Sequence, residues 1–435
     1  MTDQKNGFWA KVGLGDPVKR SWAYYDVANS AFATTIMVAV LPTYFADVIA
    51  EPLAPHERSS LWAYITAGTM AIAALLSPVL GALADRRGSK KVQLFWWTLL
   101  GCLCSGLLYF MGKGDYQMTA LLFGVGSVAF LVANVFYEAL LPSLCSDEEI
   151  HLTSTAGYAL GYLGGGVLLV INLLMIMKPE LFGLADGGVG VRLSFVSVAV
   201  WWLLWSIPLF RFVPEPWEPE NQKAPFMEAM ISSFRGLWHT LRDLKRYRNA
   251  FIFLVAFWAY SDGIGTIMKM ATIYGKEVGI GTSELVAAIV MVQFLGVPFS
   301  FLFGGIAHKV GAKPALIASL VVYTLCSIGA YWMATALHFF LVAGAVAMVQ
   351  GAAQAISRSL YAQMTPTKKA GEFFGFFSIS SKFAGVIGPL MFGVVSSMAG
   401  GSQLAIAMVA GLFMIGIVLL LFVDVEAGKR EAEAT

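Results

Sequence analysis

Charged residues are scarce in this sequence: they make up 13% of its 435 residues, against 58% for hydrophobic residues. The mean hydropathy is +0.71. A soluble protein of this length needs a far more polar surface, because much of that surface faces water. The composition therefore excludes a soluble globular fold.

Cysteine is also rare, with four residues in the chain. Cys102 and Cys104 are two positions apart, so on a helix they point to different faces, and no spacing of the four fits a metal site or a disulfide framework. The sequence also lacks a phosphate-cradling GxxxxGKS/T loop and a helix-borne HExxH motif. We therefore expect no cofactor, no metal, no nucleic-acid partner and no enzymatic activity.

A cleavable signal peptide is missing as well. Residues 1–20 are polar and contain no apolar run of the kind that precedes a cleavage site. We expect the first apolar segment to act as its own insertion signal.

What the sequence does contain is a series of long apolar stretches. A spanning helix needs about 20 mostly apolar residues, because the hydrocarbon core of a bilayer is ~30 Å thick. Twelve such stretches occur. They are 22–49, 61–83, 92–111, 118–139, 153–177 and 191–212, then 250–274, 285–307, 314–334, 339–356, 373–399 and 404–423. We predict an all-α integral membrane protein with twelve transmembrane helices in two pseudo-symmetric six-helix halves.

Polar segments divide the chain into five predicted parts. These are an N-terminal segment 1–21, a first half 22–212, a central linker 213–249, a second half 250–423 and a tail 424–435. Of the 29 lysines and arginines, 22 lie in the termini and the loops on their side, and five lie on the opposite side. The positive-inside rule therefore predicts that both termini are cytoplasmic, in the cell (inner) membrane.

The central linker 213–249 begins with three prolines and continues as a basic amphipathic stretch. Its apolar residues recur at helical spacing and are opposed by lysines and arginines. Such a helix could lie along an anionic inner leaflet. A solvated linker between the halves fits the same residues equally well.

Two motifs occur once in each half. The first is GALADRRGSKK at 81–91, which matches GGIAHKVGAK at 304–313. The second is WAYYD at 22–26, which matches WAYSD at 258–262. Matched motifs in matched six-helix halves indicate an internal repeat.

The first of these motifs resembles the signature loop of the major facilitator superfamily, which lies between helices 2 and 3. In that superfamily the loop latches the two halves together on the cytoplasmic side in one state and releases them in the other. The resemblance assigns the latch to five residues: Gly81, Asp85, Arg86, Gly88 and Lys90. The second copy has His308 in place of the carboxylate, so we expect a weaker or pH-sensitive latch there.

Further motifs narrow the resemblance. They include AYYDVANS at 23–30, GYALGYLGGG at 157–166, SRSL at 357–360, EFFGF at 372–376 and KF at 382–383. Together they are similar to the vacuolar-effluxer-like "unknown major facilitator" family, whose fungal members are associated with amino-acid release from the vacuole. The resemblance covers nearly the whole chain.

Ionisable residues inside spanning helices cost ~2.5–3.5 kcal/mol each, so each one calls for a reason. Asp262 lies ~18 Å into the seventh predicted helix, and Lys382 lies ~15 Å into the eleventh. Lys269 is on the same stripe of the helix as Asp262, ~10 Å away. We predict that these three bind solute or ion. The alternatives are a structural ion pair of Asp262 with Lys382, and a Lys269 that reaches toward the outer interface.

Polar stripes occur in the first half too. Asp26 and Asn29 share one face of helix 1, and we predict that they bind solute or ion. The alternative for Asp26 is a cytoplasmic gate or a helix cap. Asn134 and Tyr137 form another stripe with Glu138, near the end of helix 4. Glu138 and Arg358 occupy equivalent ends of helices 4 and 10, and we predict that they form a cytoplasmic gate ion pair.

The predicted function is secondary active, alternating-access transport of a small polar solute, an amino acid or a related metabolite. We expect coupling to an ion gradient, with a proton favoured over sodium, in a monomer embedded in the lipid bilayer. Two alternatives stay open: a drug or lipid exporter of the same fold, and a non-transporting membrane sensor on a transporter scaffold.

Overall fold

The computed structural model describes most of the chain. The described residues are 9, 13–87, 90–145, 150–215, 231, 235, 238–239, 242, 244–366, 373, 377, 380 and 384–433. Within these ranges the protein is helical and contains no β-strand. The all-α prediction is confirmed.

Six long helices make up the first half of the chain. They are α1 (Pro17–Ile49), α2 (Pro55–Arg87), α3 (Lys90–Leu107), α4 (Tyr116–Glu138), α5 (Ile150–Met177) and α6 (Gly187–Phe212). The first begins five residues before its apolar run, because Asp16 caps it by accepting a hydrogen bond from the Val18 N–H at 2.8 Å. Inside α1, the backbone is π-helical over Phe32–Ala39 and Phe45–Ile49.

Seven further helices have described bounds in the rest of the chain. They are α7 (Arg248–Glu277), α8 (Thr282–Val310), α9 (Ala312–Ala330), α10 (Ala336–Gln363), α11 (Ile387–Ala399), α12 (Gln403–Leu421) and the short α13 (Val425–Glu433). Of the described helices, 10 are long and apolar enough to cross a membrane. The apolar stretches in α8 and α11 are shorter, at Thr282–Gly296 and Ile387–Ala399. The count of twelve spanning helices stays a prediction.

Four helix pairs of the first half recur at equivalent positions in the second half. In the first half, α1 packs on α5 and α6, and α3 packs on α4 and α6. In the second half, α7 packs on α11 and α12, and α9 packs on α10 and α12. Each pair has its counterpart six helices later. The helix packing therefore follows the internal repeat that the two motifs indicated.

Contacts group the described residues into two compact units. One contains those of 1–52 and 75–230, and the other those of 53–74 and 231–435. The first turns of α2 therefore belong with the second unit, where the Tyr64 hydroxyl lies 3.1 Å from the Ser397 hydroxyl of α11. The predicted five-part division, and the amphipathic helix predicted within 213–249, lie partly outside the described residues and stay predictions.

A lysine at the start of the third helix closes the end of the sixth helix in each half. In the first, the Lys91 ammonium donates to the carbonyl of Val213, and the Lys91 N–H donates to the Glu215 carboxylate at 3.0 Å. In the second, the Lys313 ammonium donates to the carbonyls of Val423 at 2.8 Å and Leu421 at 3.3 Å. A cation is favoured at a helix C-terminus, where carbonyls lack partners. These repeat-motif cations therefore stabilise their own halves.

Candidate functional site

Asp262 lies at the middle of α7, ~21 Å from its first residue. Its side chain is 3% exposed. One carboxylate oxygen, Oδ2, accepts a hydrogen bond from the Gly388 N–H at 2.7 Å. The other, Oδ1, is buried and has no hydrogen-bond partner in the part of the chain that the structure describes. A buried acceptor without a donor is costly, so this oxygen has unused capacity to accept a hydrogen bond.

The partner of Asp262 is the start of a half-helix. We predicted one continuous helix over 373–399, and this was wrong: residues 384–386 are not helical, and α11 begins at Ile387. Pro389 explains the break, because its ring clashes with the carbonyl of Gly385, four residues earlier, and it has no N–H to donate. The break exposes unpaired N–H groups at the positive end of α11, where a carboxylate is favoured.

Glycine is required at position 388 for this contact. A Cβ there would collide with the Thr266 hydroxyl and would lie 3.0 Å from Oδ1 of Asp262. The same hydroxyl donates to the Asp262 carbonyl at 2.7 Å, so it is held in place. The backbone of α11 can therefore reach α7 only because residue 388 lacks a side chain.

Lys269 lies two turns further along α7 and is partly buried. Its Nζ is 3.3 Å from the position that a Cβ on Gly385 would occupy. Among the described residues, no hydrogen-bond acceptor or salt-bridge partner meets this ammonium, although Asp262 acts on it electrostatically. The ammonium thus lies beside Gly385 in the break, and the carboxylate lies beside Gly388 at the start of α11.

A cavity of about 140 Å³ adjoins this ammonium. Its lining comes from α7, α10 and residues 384–385. Polar lining residues are Tyr260, Ser261, Lys269, Gln354 and Ser357. At ~30 Å³ per water molecule, the volume corresponds to about five waters or one small solute. The Tyr260 and Ser357 hydroxyls are 2.6 Å apart, so α7 and α10 are joined at the cavity wall.

A second polar cluster surrounds Asp26 in the first half. Oδ2 of Asp26 accepts a hydrogen bond from the Tyr137 hydroxyl of α4 at 2.7 Å. The Tyr137 ring stacks on Trp22 with centroids 4.5 Å apart. Asn29 donates to Asn134 at 2.6 Å. The two polar stripes predicted on helices 1 and 4 therefore meet one another.

The remaining predicted site residues have separate outcomes. Lys382 and Gly88 lie outside the described residues, and so do the side chains of Asp85 and Arg86. Gly81 has a described helical backbone but no described surroundings. Lys90 donates to the Ala139 carbonyl just past α4, at 3.5 Å, within its own half. Glu138 and Arg358 are both exposed at the ends of α4 and α10. The latch and the gate ion pair stay predictions.

Two features of the site were missed in the sequence. The apolar stretch 373–399 predicts a helix that continues through Gly385, Gly388 and Pro389, although Pro389 was the available sign of the break. The π-helical stretch of α1 had no sequence signal. It places Thr35 where it accepts from Asn172 of α5 at 3.0 Å, and Asn172 in turn accepts from Ser197 of α6 at 2.9 Å.

Comparison with known proteins places this arrangement in a family. The chain matches the family described as "Vacuole effluxer Atg22 like" over residues 53–156 and 150–433. The uncharacterized MFS-type transporter YxiO of Bacillus subtilis (strain 168) is 35% identical over 410 residues, which cover 94% of this chain and 95% of that protein. Autophagy-related protein 22 of Kluyveromyces lactis is 22% identical, over 79% of this chain and 74% of that protein.

Solved structures show the same fold. A D-xylose-proton symporter aligns with a TM-score of 0.68 at 15% identity, covering 94% of this chain and 96% of the symporter. The nucleoside transporter NupG aligns with a TM-score of 0.67 at 14% identity, covering 93% and 99%. The chain therefore belongs to the Atg22-like vacuole effluxer family, and it is a multi-pass membrane transporter of the major facilitator type rather than an enzyme.

Proposed function

We propose that this protein is a secondary active, alternating-access transporter of a small polar solute, and that Asp262, Lys269 and the start of α11 form its solute site. The observation that carries the proposal is the break at 384–386. There a helix N-terminus, the Asp262 carboxylate and the Lys269 ammonium come together near the middle of α7. Among the described residues, one oxygen of the carboxylate has no donor and the ammonium has no acceptor. Discontinuous helices that open their termini at mid-membrane are the usual way in which transporters bind charged solutes.

The chemistry of the site favours a solute with both a donor and an anionic group. Oδ1 of Asp262 accepts from an ammonium or a hydroxyl, while Lys269 pairs with a carboxylate. An amino acid or a related zwitterionic metabolite supplies both. Lys382 remains the second candidate cation for the carboxylate.

Alternating access follows from the repeat. The two six-helix halves rock around the mid-membrane site, driven by an ion gradient. The signature loop and the pair Glu138 and Arg358 close the cytoplasmic side in one state. Both termini are cytoplasmic in this proposal, the protein is a monomer, and the host membrane is the cell membrane.

Flux in proteoliposomes tests the proposal. Purified protein is reconstituted, and uptake of labelled amino acids, dicarboxylates, hexoses and nucleosides is measured with and without pH and sodium gradients. We expect protein-dependent uptake of at least one zwitterion and none of the neutral sugars. Uptake of sugars or nucleosides alone would contradict the assigned site, and the absence of flux for every solute would contradict the transport function.

A further inference from the structure

The two aspartates of the repeated motif occupy matching surroundings. Asp26 and Asp262 are both the last residue of a WAYxD motif, in α1 and α7. Each lies against a glycine of the fifth helix of its half. A Cβ on Gly157 of α5 would lie 2.5 Å from Oδ2 of Asp26, just as a Cβ on Gly388 of α11 would lie 3.0 Å from Oδ1 of Asp262. The repeat therefore places one carboxylate at the same seam in each half.

The charges around these two carboxylates differ. Asp262 has Lys269 seven residues further along its helix, whereas the position seven residues after Asp26 is Ala33. In the described part of the first unit, no cation forms a salt bridge with Asp26. The titratable groups that face Asp26 are Tyr137 and Glu138 of α4 and Tyr25 of α1, and Tyr158 of α5 acts on Tyr137. None of these groups is a cation, so within the described part of the chain the Tyr137 hydroxyl is the one side-chain group that stabilises the ionised Asp26.

This donor set suits a proton better than a metal ion. Hard metal cations need several oxygen ligands, whereas a proton needs a single acceptor. The carboxylate of Asp26 meets the Tyr137 hydroxyl, and its other neighbours include the Trp22 ring and Gly157. The Tyr137 ring is itself fixed, because it stacks on Trp22, whose indole N–H donates to the Tyr137 carbonyl at 3.1 Å.

We propose that Asp26 is the coupling-proton site of the transport cycle and that it is separate from the solute site at Asp262 and Lys269. A proton from water binds to one carboxylate oxygen of Asp26 and is released from it later in the cycle, and the Tyr137 hydroxyl keeps its own proton throughout. Tyr137 acts as a positioning residue that stabilises the ionised form. The inference rests on the proposed function and adds the coupling ion and the residue that carries it.

Protonation of Asp26 affects the packing of α1 against α5. Besides Gly157 at Asp26, a Cβ on Gly161 would lie 2.7 Å from the Ser30 hydroxyl, so α5 can approach α1 at both levels because it presents glycines. Protonation removes the charge from this close seam, and the seam can then close or shift without burying an ion.

Infrared spectroscopy on reconstituted protein tests the assignment without knowledge of the solute. The carbonyl stretch of a protonated carboxyl group is followed as pH is changed, for the wild type and for Asp26→Asn, Tyr137→Phe and Asp262→Asn. We expect a titrating carboxyl band that disappears in Asp26→Asn and persists in Asp262→Asn. Tyr137→Phe keeps the stacked ring and removes the hydroxyl that stabilises the ionised form. It should therefore raise the midpoint of the titration by on the order of one pH unit.

Asp26→Glu is the conservative control, since it should restore a titrating band at a shifted frequency. A spectrum of Asp26→Asn identical to that of the wild type would overturn the assignment. A second result would also overturn it. If replacing choline with sodium raises the melting temperature of the wild type but not that of Asp26→Asn, then Asp26 binds sodium.

Flux measurements then test whether Asp26 couples solute transport to the proton gradient. The solute for this test is a zwitterion that the wild type transports. Asp26→Asn should still exchange labelled for unlabelled solute across the membrane. Its accumulation of solute under a pH gradient should be at least tenfold lower than that of the wild type. Accumulation equal to that of the wild type would refute the coupling role. If no solute moves with the wild type, the proposed function fails, and the infrared titration still decides whether Asp26 binds a proton.

Discussion

Replacing Gly388 by alanine tests the contact between α7 and α11. The added Cβ would collide with the Thr266 hydroxyl and would press on Oδ1 of Asp262 at 3.0 Å. Overpacking of this kind costs ~1–3 kcal/mol. If α11 moves away, the hydrogen bond from the Gly388 N–H to the carboxylate weakens, and a bond to a charged group contributes ~1.5–3 kcal/mol. The higher helix propensity of alanine offsets up to ~1 kcal/mol of this loss of stability.

The expected balance is a loss of ~2–4 kcal/mol, which corresponds to a fall in melting temperature on the order of 5–10 °C for a unit of this size. Thermal unfolding of the purified protein in detergent, followed by intrinsic fluorescence, measures it. Gly411→Ala on α12 is the matched control, because no atom lies within 4 Å of its added Cβ. That control should keep or slightly raise the melting temperature.

A double mutant isolates the collision. Thr266→Ala removes the hydroxyl that the new Cβ meets, so the combination of Gly388→Ala with Thr266→Ala should be more stable than the sum of the single effects by at least ~1 kcal/mol. Additive effects, or a Gly388→Ala protein as stable as Gly411→Ala, would refute the close approach of α11 to Asp262.

Two further predictions concern the helix ends. Lys313→Met should lower the melting temperature by a few degrees, because it removes the donor to the carbonyls of Leu421 and Val423 at the end of α12, worth ~1 kcal/mol after allowance for exposure. Lys309→Met, at an exposed lysine, is the control. Equal effects of the two substitutions would argue against the role of Lys313 at this helix end. Burial raises the pKa of Glu215 above its ordinary value of 4.5, although the Lys91 N–H opposes this. The protonated form is therefore favoured in the folded state, so its stabilising contribution is present below pH 4.5 and is lost as pH rises through the raised pKa. As pH rises through this range, the melting temperature of Glu215→Gln should therefore increase relative to that of the wild type. A difference in melting temperature that does not change with pH would contradict the raised pKa.

The helices were predictable because lipid imposes one requirement on all of them. Each must present about 20 apolar residues and satisfy its own backbone hydrogen bonds. The apolar stretch of α10 ends at 356, seven residues before the helix does, because the last turns of the helix to Gln363 are polar. The repeat was readable because both copies keep glycines and cations at fixed spacing.

The site was only partly predictable, for a different reason. Spacing on one helix identified the stripes that carry Asp26 and Asp262, since residues three or four apart share a face. It could not identify the partner of Asp262, the N–H of Gly388, because that contact joins residues 126 positions apart. The break at 384–386 escaped as well, because glycine and proline are common in spanning helices that remain continuous.

The most direct test of the solute site is exchange of a labelled zwitterion in proteoliposomes containing the wild type, Lys269→Met or Lys276→Met. Lys276 lies seven residues beyond Lys269 on the same helix, near its end and away from the cavity. We expect Lys269→Met to raise the solute concentration at half-saturation at least tenfold, and we expect Lys276→Met to have the same half-saturation concentration as the wild type. Equal half-saturation in all three proteins would contradict the placement of the solute at the break in α11.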